Sequence, residues 1–353
     1  MTSVRFGIIG LGMGAVHLQA CLENPRAEVT AICDSGEARL REVAASRGIP
    51  FAAADYHEIV SRDDVDAVVV ASPDFLHAEH SVAAMEAGKH VLCEKPLALT
   101  LADSQAMIDA ADRTGRIFMV GQVCRFAPGF VRAKELVDAG AIGELFLVES
   151  EYAHDYTNVP GVGGWRRDPA HPREPVIGGG CHAVDLLRWL AGEPVEVDAY
   201  ANHRVLTDWP VDDCTVAILR FESGVVGRLM VSIGSKRAYT MRSAFYGTRG
   251  TVICDNTSPT LTLFTDDESF APDEARGSHH FTVPIEVPVG RQEKAVPQEI
   301  DHFVDCVLGQ APVAMGAREG ARTVAVCLAI VEAAHTGRRV LVTRIPIGSG
   351  RED

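Results

Sequence analysis

The chain has 353 residues, 47% of them hydrophobic and 23% charged, with a formal net charge of −15. That length exceeds what a single hydrophobic core usually serves, so two domains are expected. The acidic balance, with no Lys/Arg block beyond pairs such as Arg166-Arg167, speaks against nucleic acid or an anionic membrane as partner, and no apolar run has the length of a membrane span.

Val4–Ile9 reads as a strand and Val16–Leu22 as a helix. Between them Gly10-Leu11-Gly12-Met13-Gly14-Ala15 fits the dinucleotide fingerprint G-x-G-x-x-G/A, in the strand–loop–helix context the fingerprint requires. Gly10 permits the tight turn, Gly12 lets the backbone approach a pyrophosphate, and small Ala15 lets the helix pack closely on the strand. The N–H groups at the helix start suit phosphate oxygens. A second strand, Glu28–Cys33, ends in Asp34, close to the interval of about 20 residues expected for the ribose-binding carboxylate. Such a carboxylate accepts from the ribose hydroxyls and repels a 2′-phosphate. No arginine follows it directly, so NAD is expected rather than NADP. Capping of the next helix is an alternative or additional role for Asp34.

The alternation continues through helices at 35–47 and 56–61, a strand at Asp66–Ala71, a helix from Phe75 to Ala87, a strand at Lys89–Cys93, a helix at Leu101–Thr114 and a strand at Arg116–Gly121. This regularity predicts a doubly wound parallel sheet, a Rossmann domain over residues 1–123. Ser72-Pro73, Glu94-Lys95-Pro96 and Gly121-Gln122 then fall at the carboxyl ends of strands, where such sheets bind ligands. His77, one turn after Ser72-Pro73, is a candidate to face the cofactor, and equally a helix-surface histidine.

From residue 124 to 345 a second α/β domain is expected. It opens with a helix from Phe126 to Ala139 and a long strand at 144–154. A loop rich in Gly, Pro, Trp and Arg follows, and then Gly178-Gly179-Gly180-Cys181-His182 leads into an amphipathic helix that puts His182 and Asp185 on one face. Residues 195–287 read as strands joined by short turns, with the last at 281–287, giving a large, mostly antiparallel open sheet. Helices within 297–336 close the chain and are placed to pack back on the first domain. Nine scattered cysteines without a CxxC pair fit a reducing cytoplasm, and no metal site is expected. The strand pattern beginning at Val4 leaves no room for a secretory signal.

Gly10-x-Gly12-x-x-Ala15, Ser72-Pro73 with His77, Glu94-Lys95-Pro96 and Gly180-Cys181-His182-x-x-Asp185 together resemble the Gfo/Idh/MocA family, which includes glucose–fructose oxidoreductase and inositol dehydrogenase. The resemblance implies hydride transfer between nicotinamide and a secondary hydroxyl or ketone of a sugar, cyclitol or related polyol. It implies Lys95 as catalytic and substrate-binding lysine, His182 as catalytic histidine and Glu94 near the nicotinamide. A homodimer or homotetramer is also implied, because the open sheet needs a cover. Many members carry an aspartate four residues before the histidine; here that position is Gly178, with Asp185, Asp168 and Asp155 as possible substitutes. Lys95 as anchor with His182 as base, and the reverse, both remain open. Arg125, Tyr152, His154, Asp155, Arg166, Asp168 and Asp185 offer polar groups to substrate, and Trp165 a flat face for a sugar. Two other uses of such a site are an enzyme that retains NAD for transient oxidation during isomerisation, elimination or glycoside cleavage, and a non-catalytic cofactor-binding regulator.

Overall fold

Short β-rich runs separated by amphipathic helices build the first sheet. Strands β1 (Val4–Ile9), β2 (Ala27–Cys33), β3 (Phe51–Ala53), β4 (Ala67–Val70), β5 (His90–Glu94) and β6 (Phe118–Gly121) alternate with α1 (Gly14–Glu23), α2 (Glu37–Arg47), α3 (Tyr56–Val60), α4 (His77–Glu86) and α5 (Leu101–Thr114). The computed structural model describes residues 2–267, 269–270, 283–290 and 295–346. All pairings in this sheet are parallel, in the order β3-β2-β1-β4-β5-β6. Parallel strands need helical crossovers, which cover both faces, so β4 is buried at every position. The order reverses between β1 and β4, and a crevice opens there at the carboxyl ends. Two details differ from the sequence reading. Strand β3 is too short to show alternation, and the helix expected from Phe75 starts as a 3-10 turn over Asp74–Leu76 before α4.

The second sheet follows α6 (Pro128–Asp138). Its strands are β7 (Leu145–Ala153), β8 (Pro194–Asn202), β9 (Cys214–Phe221), β10 (Val226–Ser232), β11 (Thr240–Gly247), β12 (Gly250–Asp255), β13 (Thr260–Thr265), β14 (Ile285–Pro288) and β15 (Val340–Leu341). Helices α7 (Pro175–Gly178) and α8 (Cys181–Ala191) lie between β7 and β8, and α9 (Val296–Val307) and α10 (Ala317–Thr336) come near the end. The sheet order is β14-β13-β12-β11-β7-β10-β9-β8-β15, antiparallel except for the parallel β7–β10 pair. Short turns predict β10 and β11 as neighbours; β7 instead inserts between them, because its apolar face must be buried under α8. Of the strand expected at 281–287, residues 281 and 282 lie outside the described residues, and β14 begins at Ile285.

Strand β9 shows the period of two, with Thr215, Ala217, Leu219 and Phe221 buried and Val216, Ile218 and Arg220 exposed. The inner face packs on α8 and the second half of α10, where Val326, Cys327 and Ile330 join this core. The first half of α10, through Ala321 and Val324, joins the core of the parallel sheet together with Ile300, Phe303 and Val304 of α9. Phe303 meets Phe6 of β1 with ring centroids 6.1 Å apart, and burying it contributes about 1.5–3 kcal/mol relative to exposure. Helix α10 therefore braces both sheets.

Candidate active site

The loop from β1 to α1 is shaped by its glycines. Gly10 has φ +88° and a Cβ there would lie 2.6 Å from the Ala71 carbonyl oxygen, so only glycine fits. A Cβ at Gly14 would sit 3.0 Å from Ile8 and 3.3 Å from the Ala71 side chain. Gly14, not Ala15, is thus the small residue that lets α1 approach the sheet; Ala15 is exposed. Asp34 closes the cradle at the end of β2. Its Oδ2 accepts from the Leu11 N–H (2.8 Å), and its Oδ1 from the Gly36 N–H (2.7 Å) and from Arg39 (2.5 Å). Burial opposes charge on Asp34, but Arg39 and the two N–H groups outweigh it and hold the carboxyl below its ordinary range. The N-cap of α2 is Gly36, so Asp34 does not take the capping position.

A cavity of about 490 Å³ runs from this cradle along the carboxyl edge. Gly10, Leu11, Gly12, Met13, Asp34, Ser72, Pro73, His77, Glu94, Lys95, Trp165 and Arg166 all line it. The volume lies within the range of small-molecule sites. His77 joins two of its walls, donating from Nδ1 to the Pro96 carbonyl (2.8 Å) and from Nε2 to the Ser72 carbonyl (3.0 Å). Two acceptors demand two N–H groups. Burial pushes the ring down, but Cys93, Asp74 and the Pro96 carbonyl outweigh it and raise His77 to about 9. Its neighbour His80, bonded to Ser72 Oγ at 3.0 Å, is pushed down to about 4, chiefly by burial.

At the far end, β5 delivers Glu94 and Lys95. Glu94 Oε1 bonds His17 Nε2 of α1 at 2.7 Å, and Oε2 accepts the Lys95 N–H at 3.1 Å. Burial would raise the Glu94 carboxyl, but His17, Lys95 and His182 draw it far below its ordinary range. Behind it, Glu299 of α9 is fully buried with neither carboxyl oxygen hydrogen-bonded, and burial with the Glu94 charge raises it well above the usual carboxylate value. Lys95 Nζ reaches the Gly178 carbonyl at the end of α7, 3.2 Å away, so the two sheets meet at this lysine. His182, in the first turn of α8, bonds through Nδ1 to Gln122 Oε1 at 2.9 Å. The amide oxygen accepts, so in the neutral ring Nε2 is the acceptor nitrogen.

Two family models together cover most of the chain. The model described as an oxidoreductase family with an NAD-binding Rossmann fold matches residues 4–122, and the GFO/IDH/MocA C-terminal domain model matches residues 130–253. The chain belongs to the Gfo/Idh/MocA oxidoreductase family. It is 32% identical to the myo-inositol 2-dehydrogenase of Thermotoga maritima over 331 residues, 90% of this chain and 92% of that one. It is 30% identical to inositol 2-dehydrogenase 3 of Saccharopolyspora erythraea over 96% of each chain. Levoglucosan dehydrogenase in complex with NADH and L-sorbose matches its fold with a TM-score of 0.87 at 26% identity, covering 98% of this chain and 100% of that one.

NAD is therefore the cofactor of this Gfo/Idh/MocA chain, and the residues present fit it: a glycine loop without room for a Cβ at Gly10, beside a charged carboxylate at Asp34. Other expected site residues lie elsewhere in this family member. Arg125 and Asp185 form a two-pronged buried pair at 2.7 and 2.8 Å, and Thr323 adds a bond to Asp185 at 3.2 Å. Neither lines the cavity, and each satisfies the other's charge. Asp155 binds Thr157 and Lys236, and Asp168 caps the Ala170 N–H. None of these three aspartates lines the cavity. Tyr152 is buried with its hydroxyl 2.7 Å from that of Tyr156, and His154 packs edge-on against Tyr156 at 4.9 Å. Arg39, Asp74, Arg173 and Glu299 were not singled out by the sequence. Asp74, directly after Ser72-Pro73, had the only positional signal.

Proposed function

We propose that this protein oxidises a secondary hydroxyl of a sugar, cyclitol or related polyol and releases NADH. The observation that carries this is Lys95. It projects from the carboxyl edge of β5 into the cofactor cavity and reaches the carbonyl just before the helix that bears His182. The names of the inositol and levoglucosan dehydrogenases among its relatives support the substrate class. Bound NAD supplies the hydride acceptor. Gly10, Gly12, Asp34 and Glu94 hold the cofactor. Lys95 holds the reacting hydroxyl, and His182, its tautomer set by Gln122, takes the hydroxyl proton at Nε2.

The test is NADH absorbance at 340 nm with a panel of sugars and inositols. Lys95→Ala should lower kcat/KM by about 10²–10⁴-fold while NAD binding, followed by fluorescence, persists. Undiminished turnover would remove Lys95 from the mechanism. NADH that never accumulates in solution while product forms would favour a retained cofactor.

The oligomer belongs to the same reading. The outer face of the nine-stranded sheet exposes Phe146, Tyr200, Val216, Ile218 and Val226. A patch of this kind supports a cover by a second copy, as dimer or tetramer. The nine free cysteines support a cytoplasmic setting. No helix among the described residues is long and apolar enough to cross a membrane.

A further inference from the structure

Helix α1 serves the cofactor cavity at two points. Its start carries the glycine loop, and one turn later it sends His17 inward, where the side chain is fully buried. His17 does not line the cavity, whereas Glu94, at the end of β5, does. His17 Nε2 meets Glu94 Oε1 at 2.7 Å, although the two residues are 77 apart in sequence. The other oxygen, Oε2, accepts the Lys95 N–H at 3.1 Å. Both oxygens are thus held. An ionised carboxylate only accepts, so the proton of the first bond sits on His17.

The charge held in this way faces the cavity. Of the other acids that line it, Asp34 is paired with Arg39 and Asp74 with Arg173. Among the described residues no guanidinium pairs with Glu94; its bonded partner is the histidine behind it. Lys95, beside it, carries its ammonium across to the Gly178 carbonyl, 3.2 Å away. The remaining groups that face Glu94 are His182 from α8 and Glu299 from α9. Glu299 is buried with both oxygens unpartnered, and burial with the Glu94 charge keeps it protonated. Burial opposes the charge on Glu94 too, but there His17 is the largest of the influences that outweigh it. Glu94 is therefore the one of the two acids that stays charged.

The cavity runs without a break from Asp34 to Glu94. A dinucleotide with its adenosine ribose at Asp34 and its pyrophosphate at the glycine loop extends its nicotinamide toward Glu94. That ring is cationic when oxidised and neutral when reduced, and a fixed carboxylate beside it favours the cation. We propose that His17 is a positioning residue that fixes the Glu94 carboxylate at the nicotinamide end of the cavity, and that this pair sets the preference of the site for oxidised over reduced cofactor. The pair weights binding toward NAD, the sense that helps NADH leave. This rests on NAD occupying the cavity, as in the reading above, and needs no particular substrate.

The test is the ratio of the dissociation constants for NAD and NADH, measured by calorimetry without substrate. Glu94→Gln should weaken NAD relative to NADH by about tenfold. His17→Leu should shift the ratio in the same direction, because the carboxylate loses the donor that holds it. His17→Gln, whose amide N–H can stand in for Nε2, should restore most of the wild-type ratio. Thermal melting checks that each variant is folded. An unchanged ratio in Glu94→Gln would overturn the electrostatic role. Equal weakening of both cofactor forms by His17→Leu would make His17 a structural residue and overturn its positioning role. Ratios that shift as expected in a protein that forms no NADH from any polyol would keep the pair and overturn the dehydrogenase reading. Unchanged ratios in a protein that does form NADH would do the reverse.

Discussion

Asp34 binds the glycine loop, the start of α2 and Arg39 at one carboxylate. Its negative charge is what a 2′-phosphate would meet. Arg39 stands in the same wall of the cavity, neutralised by that carboxylate. Asp34→Ala should release Arg39 toward a 2′-phosphate and raise the ratio of kcat/KM for NADP over NAD by about tenfold or more, measured by steady-state kinetics. An unchanged ratio would show that Asp34 does not select the cofactor. Asp34 was legible because it ends the second strand of the fingerprint. Arg39 was not, since it lies within the first turns of α2 and only the bend at Ser35-Gly36 brings it back to the carboxylate. Arg173 was equally hidden. Nothing in His171-Pro172-Arg173-Glu174-Pro175 marks the arginine as more than a loop residue, and its contact with Asp74 spans about a quarter of the chain.

Elements brought together from distant sequence create the buried acid at Glu299. In α9 it occupies the first turn, where an acidic residue ordinarily meets solvent and the positive end of the helix dipole. Here α9 packs on the first core, and Glu299 lies against Gly121 and near the charge of Glu94. A carboxyl whose folded pKa is raised binds its proton more tightly in the folded state. Its contribution is full below the unfolded value near 4.5 and is lost as pH rises above it. Glu299→Gln should therefore stabilise the protein at pH 7 by about 1–3 kcal/mol, with the gain fading as pH falls toward 4.5. Calorimetric melting across that range is the measurement. A loss of stability at pH 7 would mean that Glu299 is ionised and paired. The helix itself was legible from its apolar stripe; the neutral state of its acid depends on a neighbour some two hundred residues earlier.

At the scale of the whole molecule, the described residues leave one face of the nine-stranded sheet uncovered. Register places Tyr200 of β8 beside Val216 of β9 and Met230 of β10, with Asp198, Ile218 and Arg228 in the next row. This alternation of apolar and paired charged rows suits a sheet face that meets its own copy. Ile218→Glu puts a charge at its centre and, on the proposed self-association, should shift the protein from the proposed dimer or tetramer to monomer in light scattering, without loss of the fold by circular dichroism. A wild-type monomer at micromolar concentration would refute the interface.

The sequence alone determined the parallel sheet, the glycine cradle, Asp34, and the place of Lys95 at a strand end. Each of these rests on local rules: period-two burial, helical period, turn chemistry, and the tendency of parallel strands to bind at their carboxyl ends. Only the tertiary structure decided that β7 enters the middle of the second sheet, that Arg125 and Asp185 serve each other, and that Arg173 fills the space above Gly178. Those outcomes turn on which charges find partners once water is excluded. Partners chosen in that way come from anywhere in the chain, so no window of sequence contains them.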